Sequence, residues 1–204
     1  MKIKVCGMRE PDNIQEVAAL GPDLMGFIFY PRSPRYVSSD LPHIGAKKVG
    51  VFVHADLVEM LELVQRQGLD YVQLHSEESP EMCAEFKRRG IGVIKAFGVD
   101  ADFDFGLTAA YDGYVDYFLF DTKGDSYGGH GLRFDWSLLK KYKGETSFFV
   151  AGGIDNTSVE ALLEMDLPNM VGIDVNSKYE ISPAMKDIDA LKTLFLKVRN
   201  SNKR

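Results

Sequence analysis

Short apolar runs of strand length recur along the chain, each bounded by turn residues and rich in β-branched or aromatic side chains. They are IKVC (3–6), LMGFIFY (24–30), KVGVFV (48–53), YVQLH (71–75), GVIKAF (92–97), YFLFDT (117–122), FFVAGG (148–153) and VGIDVN (171–176). Several are almost continuously apolar, as strands of a parallel sheet covered on both faces are. Segments of helical period lie between most of them. Pro11 fits a first helical position, Ile14, Val17 and Ala18 form a buried stripe, and Gly21 is the stop. Leu57, Met60, Leu61 and Val64 repeat the pattern up to Gly68, and Ser79-Pro80-Glu81-Met82 opens a helix that carries Cys83 and Phe86 and ends at Gly90. Trp136, Leu138 and Leu139 predict a short helix, Val159, Leu162 and Leu163 another, and Ile188, Leu191, Leu194, Phe195 and Val198 the last.

Two connections weaken the alternation. Residues 99–116 are polar, Asp-rich and weakly periodic, which predicts a loop or degraded helix, and residues 38–46 are similarly short. Parallel strands alternating with helices form either an open doubly wound sheet or a closed eightfold barrel, and eight strands favour the barrel. The expected fold is therefore a compact (β/α)8 TIM barrel with a weak or missing helix between strands five and six. It has about 25 residues per unit and one domain over 1–204, because no linker or composition shift divides the chain.

Composition narrows the function classes. Apolar residues at 45% and charged residues at 26% exclude disordered and collagen-like chains. Cys6 and Cys83 are the only cysteines, with no CxxC and no histidine cluster, so neither a zinc site nor a disulfide framework is expected. A net charge of −6 offers no basic field for nucleic acid. No segment approaches the roughly 20 apolar residues of a membrane helix, which predicts a cytoplasmic protein with no membrane partner. The basic end KVRNSNKR reads as a solvated tail.

In such barrels chemistry lies at the carboxyl ends of the strands. Cys6 ends strand one, Arg32 and Arg35 follow strand two, Gln73 and His75 end strand four, and Asp121 ends strand six. Gly152 and Gly153 follow strand seven, and Asp174, Asn176 and Ser177 end strand eight. Blander roles compete at each place: Cys6 as a small buried hydrophobe, Asp121 as a cap or ion pair with Lys123, and Gln73 with His75 as a hydrogen-bonded core pair. Lys4 shares the face of Cys6 one layer deeper and needs a carboxylate, for which Asp174 on the neighbouring strand of a closed barrel is the candidate. Ala151-Gly152-Gly153 with the helix start Asn156-Thr157-Ser158 reads as a phosphate site, completed by the Asn176-Ser177 turn. The Gly-rich loop over 121–136, with Lys123, Tyr127 and His130, is either a surface loop or a lid.

The segments IKVCGMREPDNI, MGFIFYPRSPRYV, VQLHSEE, FLFDTKGDSYGGHGLRFDW, FVAGGIDNTSVEALL and GIDVNSKYEISPAMKD, in this order, resemble the phosphoribosylanthranilate isomerase family of tryptophan biosynthesis over nearly the whole chain. That resemblance implies a (β/α)8 barrel performing an Amadori rearrangement without metal or organic cofactor, on a small-molecule phosphosugar-anthranilate substrate, as a monomer or homodimer. It implies Cys6 as general base, Asp121 as general acid and Arg35 at the anthranilate carboxylate. Gln73, His75 and Asp174 are further substrate-binding candidates, and the 152–153 and 176–177 turns hold the phosphate. A nearby cation should lower the thiol and burial against Phe118 and Phe120 should raise the acid, giving a bell-shaped pH profile with the thiolate on its acid limb. Asn176-Ser177-Lys178 departs from the family's frequent Ser-Ser-Gly. Other phosphosugar barrels fit less well, for want of metal-ligand histidines or of inward lysines and glutamates beyond Lys95. A non-catalytic phosphate-binding barrel has no need of both Cys6 and Asp121.

Overall fold

The computed structural model describes residues 1–124 and 134–201. Eight parallel strands close into a barrel in sequence order: β1 (Lys2–Val5), β2 (Leu24–Ile28), β3 (Lys47–Phe52), β4 (Tyr71–Leu74), β5 (Gly92–Val99), β6 (Tyr117–Thr122), β7 (Phe148–Val150) and β8 (Met170–Val175). Closure runs through the β1–β8 pair, in which Lys4 stands opposite Asp174.

The outer layer is less regular than the strands. Helices α1 (Pro11–Ala19), α2 (Leu57–Gln67), α3 (Pro80–Arg88), α4 (Val159–Leu163) and α5 (Ile188–Ser201) follow the predicted periodicity. Their ends obey local chemistry: Asp56 caps α2 by accepting from Glu59 N–H, and Gly68 closes it in the left-handed conformation at φ 60°. Between β5 and β6 the expected degraded helix is a 3-10 stretch, Phe105–Tyr111, and another, Trp136–Lys141, joins β6 to β7. Residues 29–46, between β2 and β3, contain no helix. Pro31, Pro34 and Pro42 punctuate that segment and deny helical hydrogen bonds. The basic C-terminal stretch is not wholly a tail, since α5 runs to Ser201 and buries Val198.

Strand alternation separates two cores. Leu24, Val49, Ile94, Ala96, Leu119, Phe149 and Ala151 fill the barrel, with Tyr71, Tyr117 and Val171 packed against them. Their neighbours Met25, Phe52, Val72, Val93, Phe118, Phe120 and Phe148 belong to the larger core between sheet and outer layer. Phe118 and Phe120 therefore pack away from the barrel axis, into an aromatic cluster with Phe105, Tyr142 and Phe148. They do not cover Asp121 in the way the sequence suggests, because successive side chains of a strand point to opposite faces.

Candidate active site

One cavity opens at the carboxyl ends of the strands, and its lining gathers most of the residues singled out above: Cys6, Gln73, His75, Asp121, Gly152, Gly153, Asp174, Asn176 and Ser177. Each arrives there by the inward phase of its strand or by the turn after it. Cys6 is the first residue beyond β1 and is 5% exposed; its amide bonds Val175 O at 2.9 Å. Asp121 lies near the end of β6, its Oδ1 accepting from Thr122 N–H at 2.7 Å and its Oδ2 3.8 Å from His75 Nε2. Lys123 does not pair with it, having turned outward to Asp100 at 2.6 Å.

The floor beneath Cys6 is ionic. Lys4 Nζ donates to Asp174 Oδ2 at 2.9 Å, with Lys4 fully buried. Burial alone would lower the lysine, but Asp174 and Cys6 outweigh it, so Lys4 stays protonated. Two buried acceptors on the cavity lining, Gln73 Oε1 and Asp174 Oδ1, receive no hydrogen bond among the described residues. Leaving such an atom unpaired costs about 1–3 kcal/mol, which a ligand's hydroxyl or N–H can recover.

The titrating groups have unequal surroundings. Burial pushes Asp121 up to about 6, against the opposing Thr122 amide, and a little more comes from the Asp174 charge. His75 is held down to about 4 by burial and by the Lys95 and Lys4 charges, so its contact with Asp121 is not an ion pair near neutrality. Cys6 departs from the sequence expectation. The expected cation is present, but burial outweighs the pull of Lys4 and Lys186, and Asp174 opposes them, so the thiol is raised above its ordinary range. Near neutrality the resting site thus holds a thiol facing a carboxyl group that titrates around 6.

Opposite the ionic floor, the turn after β7 is built for close approach. Gly152 has φ 84°, and a Cβ there would collide with Thr122 Oγ1 and lie 2.9 Å from Asp121 Oδ1. Among the described residues, the amides of Gly152, Gly153 and Ser177 donate to no protein acceptor. The helix start named with this site behaves differently: Asp155 Oδ1 accepts from the amides of Thr157 and Ser158, both at 2.9 Å, and α4 is only five residues long. The amides left open at this wall are therefore those of the two turns and not those of a helix end.

Like Arg32, Arg35 does not line the cavity. Its Nε and Nη2 bond Glu180 at 2.9 and 2.7 Å. Sequence reasoning passed over that carboxylate and over Lys186, because neither lies at a strand end of the barrel. It also passed over Ile28, Val51 and Ile154, apolar wall residues that no motif marks. The proposed lid residues Tyr127 and His130 lie outside the described residues. Among those described, no group of three His, Cys, Asp or Glu side chains could hold a metal ion, and no helix is long and apolar enough to cross a membrane.

Comparison with known proteins fits this geometry. A family profile described as N-(5'phosphoribosyl)anthranilate (PRA) isomerase matches residues 3–197. An N-(5'-phosphoribosyl)anthranilate isomerase from Parabacteroides distasonis is 50% identical, over 97% of this chain and 93% of its own. The crystal structure of phosphoribosyl anthranilate isomerase from Thermus thermophilus superposes with a TM-score of 0.85 at 28% identity, covering 98% of this chain and 99% of the other. Another phosphoribosyl anthranilate isomerase, solved in complex with reduced 1-(o-carboxyphenylamino)-1-deoxyribulose 5-phosphate, superposes at 0.80 with 29% identity and covers 98% of this chain and 99% of its own. With this barrel and this match over nearly its whole length, the chain belongs to the phosphoribosylanthranilate isomerase family, which converts N-(5-phosphoribosyl)anthranilate to 1-(o-carboxyphenylamino)-1-deoxyribulose 5-phosphate in tryptophan biosynthesis.

Proposed function

We propose that Cys6 is the general base and Asp121 the general acid of this isomerisation, with the 152–153 and 176–177 turns holding the phosphate. The observation that carries the reading is the convergence of all six residues on one cavity. Asp121, protonated, delivers a proton to the ribose ring oxygen as the anilino nitrogen pushes its lone pair toward C1′, which breaks the ring C–O bond and leaves a Schiff base. Cys6 as thiolate then removes the C2′ proton, and the electrons flow to the nitrogen to give an enamine. Tautomerisation of that enamine yields the ketone.

The required pair is a thiolate with a neutral carboxyl. Because Asp121 titrates near 6 and Cys6 is raised above its ordinary range, that pair is the minority partner of thiol with carboxylate. Both forms carry the same number of protons, so their ratio does not change with pH and activity is flat between the two pKa values. The acid limb then belongs to Asp121, near 6, and the alkaline limb to Cys6, the reverse of the order expected from sequence. Lys4 and Lys186 favour the thiolate, while Asp174 opposes it.

The remaining groups recognise substrate. The amides of Gly152, Gly153 and Ser177 offer phosphate donors, and Lys178 at the same wall adds charge. Gln73 Oε1 and Asp174 Oδ1 accept from ribose hydroxyls or the anilino N–H, and neutral His75 bonds the sugar beside Asp121. Arg35 keeps its Nη1 edge free of Glu180 for the anthranilate carboxylate. A coupled assay on freshly generated phosphoribosylanthranilate tests the assignment. Folded wild type should turn over, while Cys6→Ser and Asp121→Ala should lose at least about 100-fold in kcat, as general acid or base groups do. Near wild-type turnover by either variant removes that residue from the mechanism.

A further inference from the structure

Behind the 176–177 turn lies a buried ionic network that neither gives nor takes a proton in the steps above, although the charge of its lysine favours the Cys6 thiolate. After β8 the chain forms a small hairpin, β9 (Glu180–Ser182) paired with β10 (Met185–Lys186). Lys186 is 1% exposed, and its Nζ donates to Asn176 Oδ1 and to Glu180 Oε1, both at 2.7 Å. Its backbone is pinned on both sides by Asn13: Lys186 N donates to Asn13 Oδ1 at 2.7 Å, and Asn13 Nδ2 donates to Lys186 O at 3.0 Å. Glu180 in turn grips Arg35. Gly7, at φ 76°, permits the closeness of the two ends, since a Cβ there would be 2.5 Å from Asn176 Oδ1 and 2.7 Å from Arg35 Cδ.

The chemistry of an ammonium makes this arrangement directional. Lys186 can only donate, so the amide of Asn176 must present its oxygen to it and its Nδ2 donors elsewhere. Asn176 lines the cavity beside Ser177, so the edge left over is a side-chain donor at the phosphate turn. Glu180 likewise occupies the Nε and Nη2 edge of Arg35 and fixes which edge remains. A buried ion pair is weak evidence for stability, because apolar replacements of similar volume are often neutral or stabilising.

We propose that Lys186 is a positioning residue that sets the donor edges of Asn176 and, through Glu180, of Arg35, so that one buried cation aligns recognition at both anionic ends of the substrate. This rests on the reading of Asn176 as part of the phosphate turn and of Arg35 as the carboxylate contact. It also gives Asn176, which stands where the family often has serine, a defined role.

The test measures kcat, KM and competitive inhibition by inorganic phosphate in Lys186→Met, Lys186→Arg, Asn176→Ala and the Lys186→Met/Asn176→Ala pair, with circular dichroism to check folding. Lys186→Met should raise KM and the phosphate Ki by about 10-fold, the signature of lost binding, while kcat, which also feels the lost pull of Lys186 on Cys6, should fall by less than KM rises. Lys186→Arg should restore most of it, and the double variant should bind phosphate no worse than Asn176→Ala alone. An unchanged Ki in folded Lys186→Met, with only the melting temperature lowered, overturns the proposal. Asn176→Ala without effect on Ki overturns instead the reading of the phosphate turn. Should Lys186→Met fail to fold, Glu180→Gln reads the second link: KM about 10-fold higher with phosphate Ki within about twofold is expected, and an unchanged KM refutes the link.

Discussion

The two flanks of the mouth handle charge in opposite ways. Around Cys6 the protein gathers ions: Lys4 with Asp174 below, and Lys186 with Glu180 and Arg35 behind. Around Asp121 it gathers neutral groups: a histidine held uncharged, Ala151 and a glycine without room for a side chain. The ionic flank nevertheless leaves its thiol raised, since burial outweighs the cations, and the neutral flank raises its carboxyl as well. Solvent exclusion thus acts on both groups alike. The ions differ in what they add, a partial correction at Cys6 and fixed orientations for the groups around it.

Removing either of the two proposed reacting groups is the harshest test of that contrast. Cys6→Ala and Asp121→Asn should each lower kcat/KM by about 10²–10⁴ in the coupled assay, with substrate protection against unfolding retained. Next comes the ionic floor. Lys4→Met strands a buried carboxylate and should cost about 3–5 kcal/mol in urea unfolding, much of which Lys4→Met/Asp174→Leu should recover. A single variant as stable as wild type would mean that Asp174 is already neutral there.

Asp121 predicts the reverse on stability. Its folded pKa of about 6 lies above the ordinary value of 3.8, so it favours folding below pH 3.8 and loses that contribution as pH rises through 6. Asp121→Asn should therefore gain about 3 kcal/mol at pH 8 and well under about 1 kcal/mol at pH 4, a stability increase purchased with activity. His75 has the opposite sign: its folded pKa of about 4 lies below 6.5, so its contribution is present above 6.5 and lost as pH falls toward 4. His75→Gln should flatten that acid-side loss in melting scans between pH 6.5 and 4. The smallest effect belongs to a charge outside the mouth. Lys123→Ala breaks, among the described residues, the exposed pair with Asp100 and should leave melting temperature and the Asp121 limb of the pH profile unmoved.

Much of the scaffold is legible because strands and helices announce themselves through period and punctuation. All eight strands fall within two or three residues of their predicted positions, and α1 begins at Pro11 as its sequence indicates. The inward phase of β1, β4, β6 and β8 then brings Cys6, Gln73, His75, Asp121 and Asp174 to one mouth, and the Lys4–Asp174 pair follows from barrel closure. Less visible was the facing of Phe118 and Phe120, which the alternation contained but the burial argument overlooked. The helix start after β7 misled for a local reason: Asp155 consumes amides that a sequence reading leaves free.

By itself, then, the sequence determined the closed barrel, the strand each chemical group sits on and the family, because these depend on local periodicity and on residues adjacent in the chain. Tertiary structure decided the protonation order and the partners of the charges. The Cys6 thiol is raised or lowered by the balance between burial and Lys4, Lys186 and Asp174, groups brought together from β1, β8 and β10. Arg35 is claimed by a glutamate 145 positions away. Such long-range contacts leave no period in the sequence, and the Coulomb and desolvation energies that set a pKa depend on distance in space.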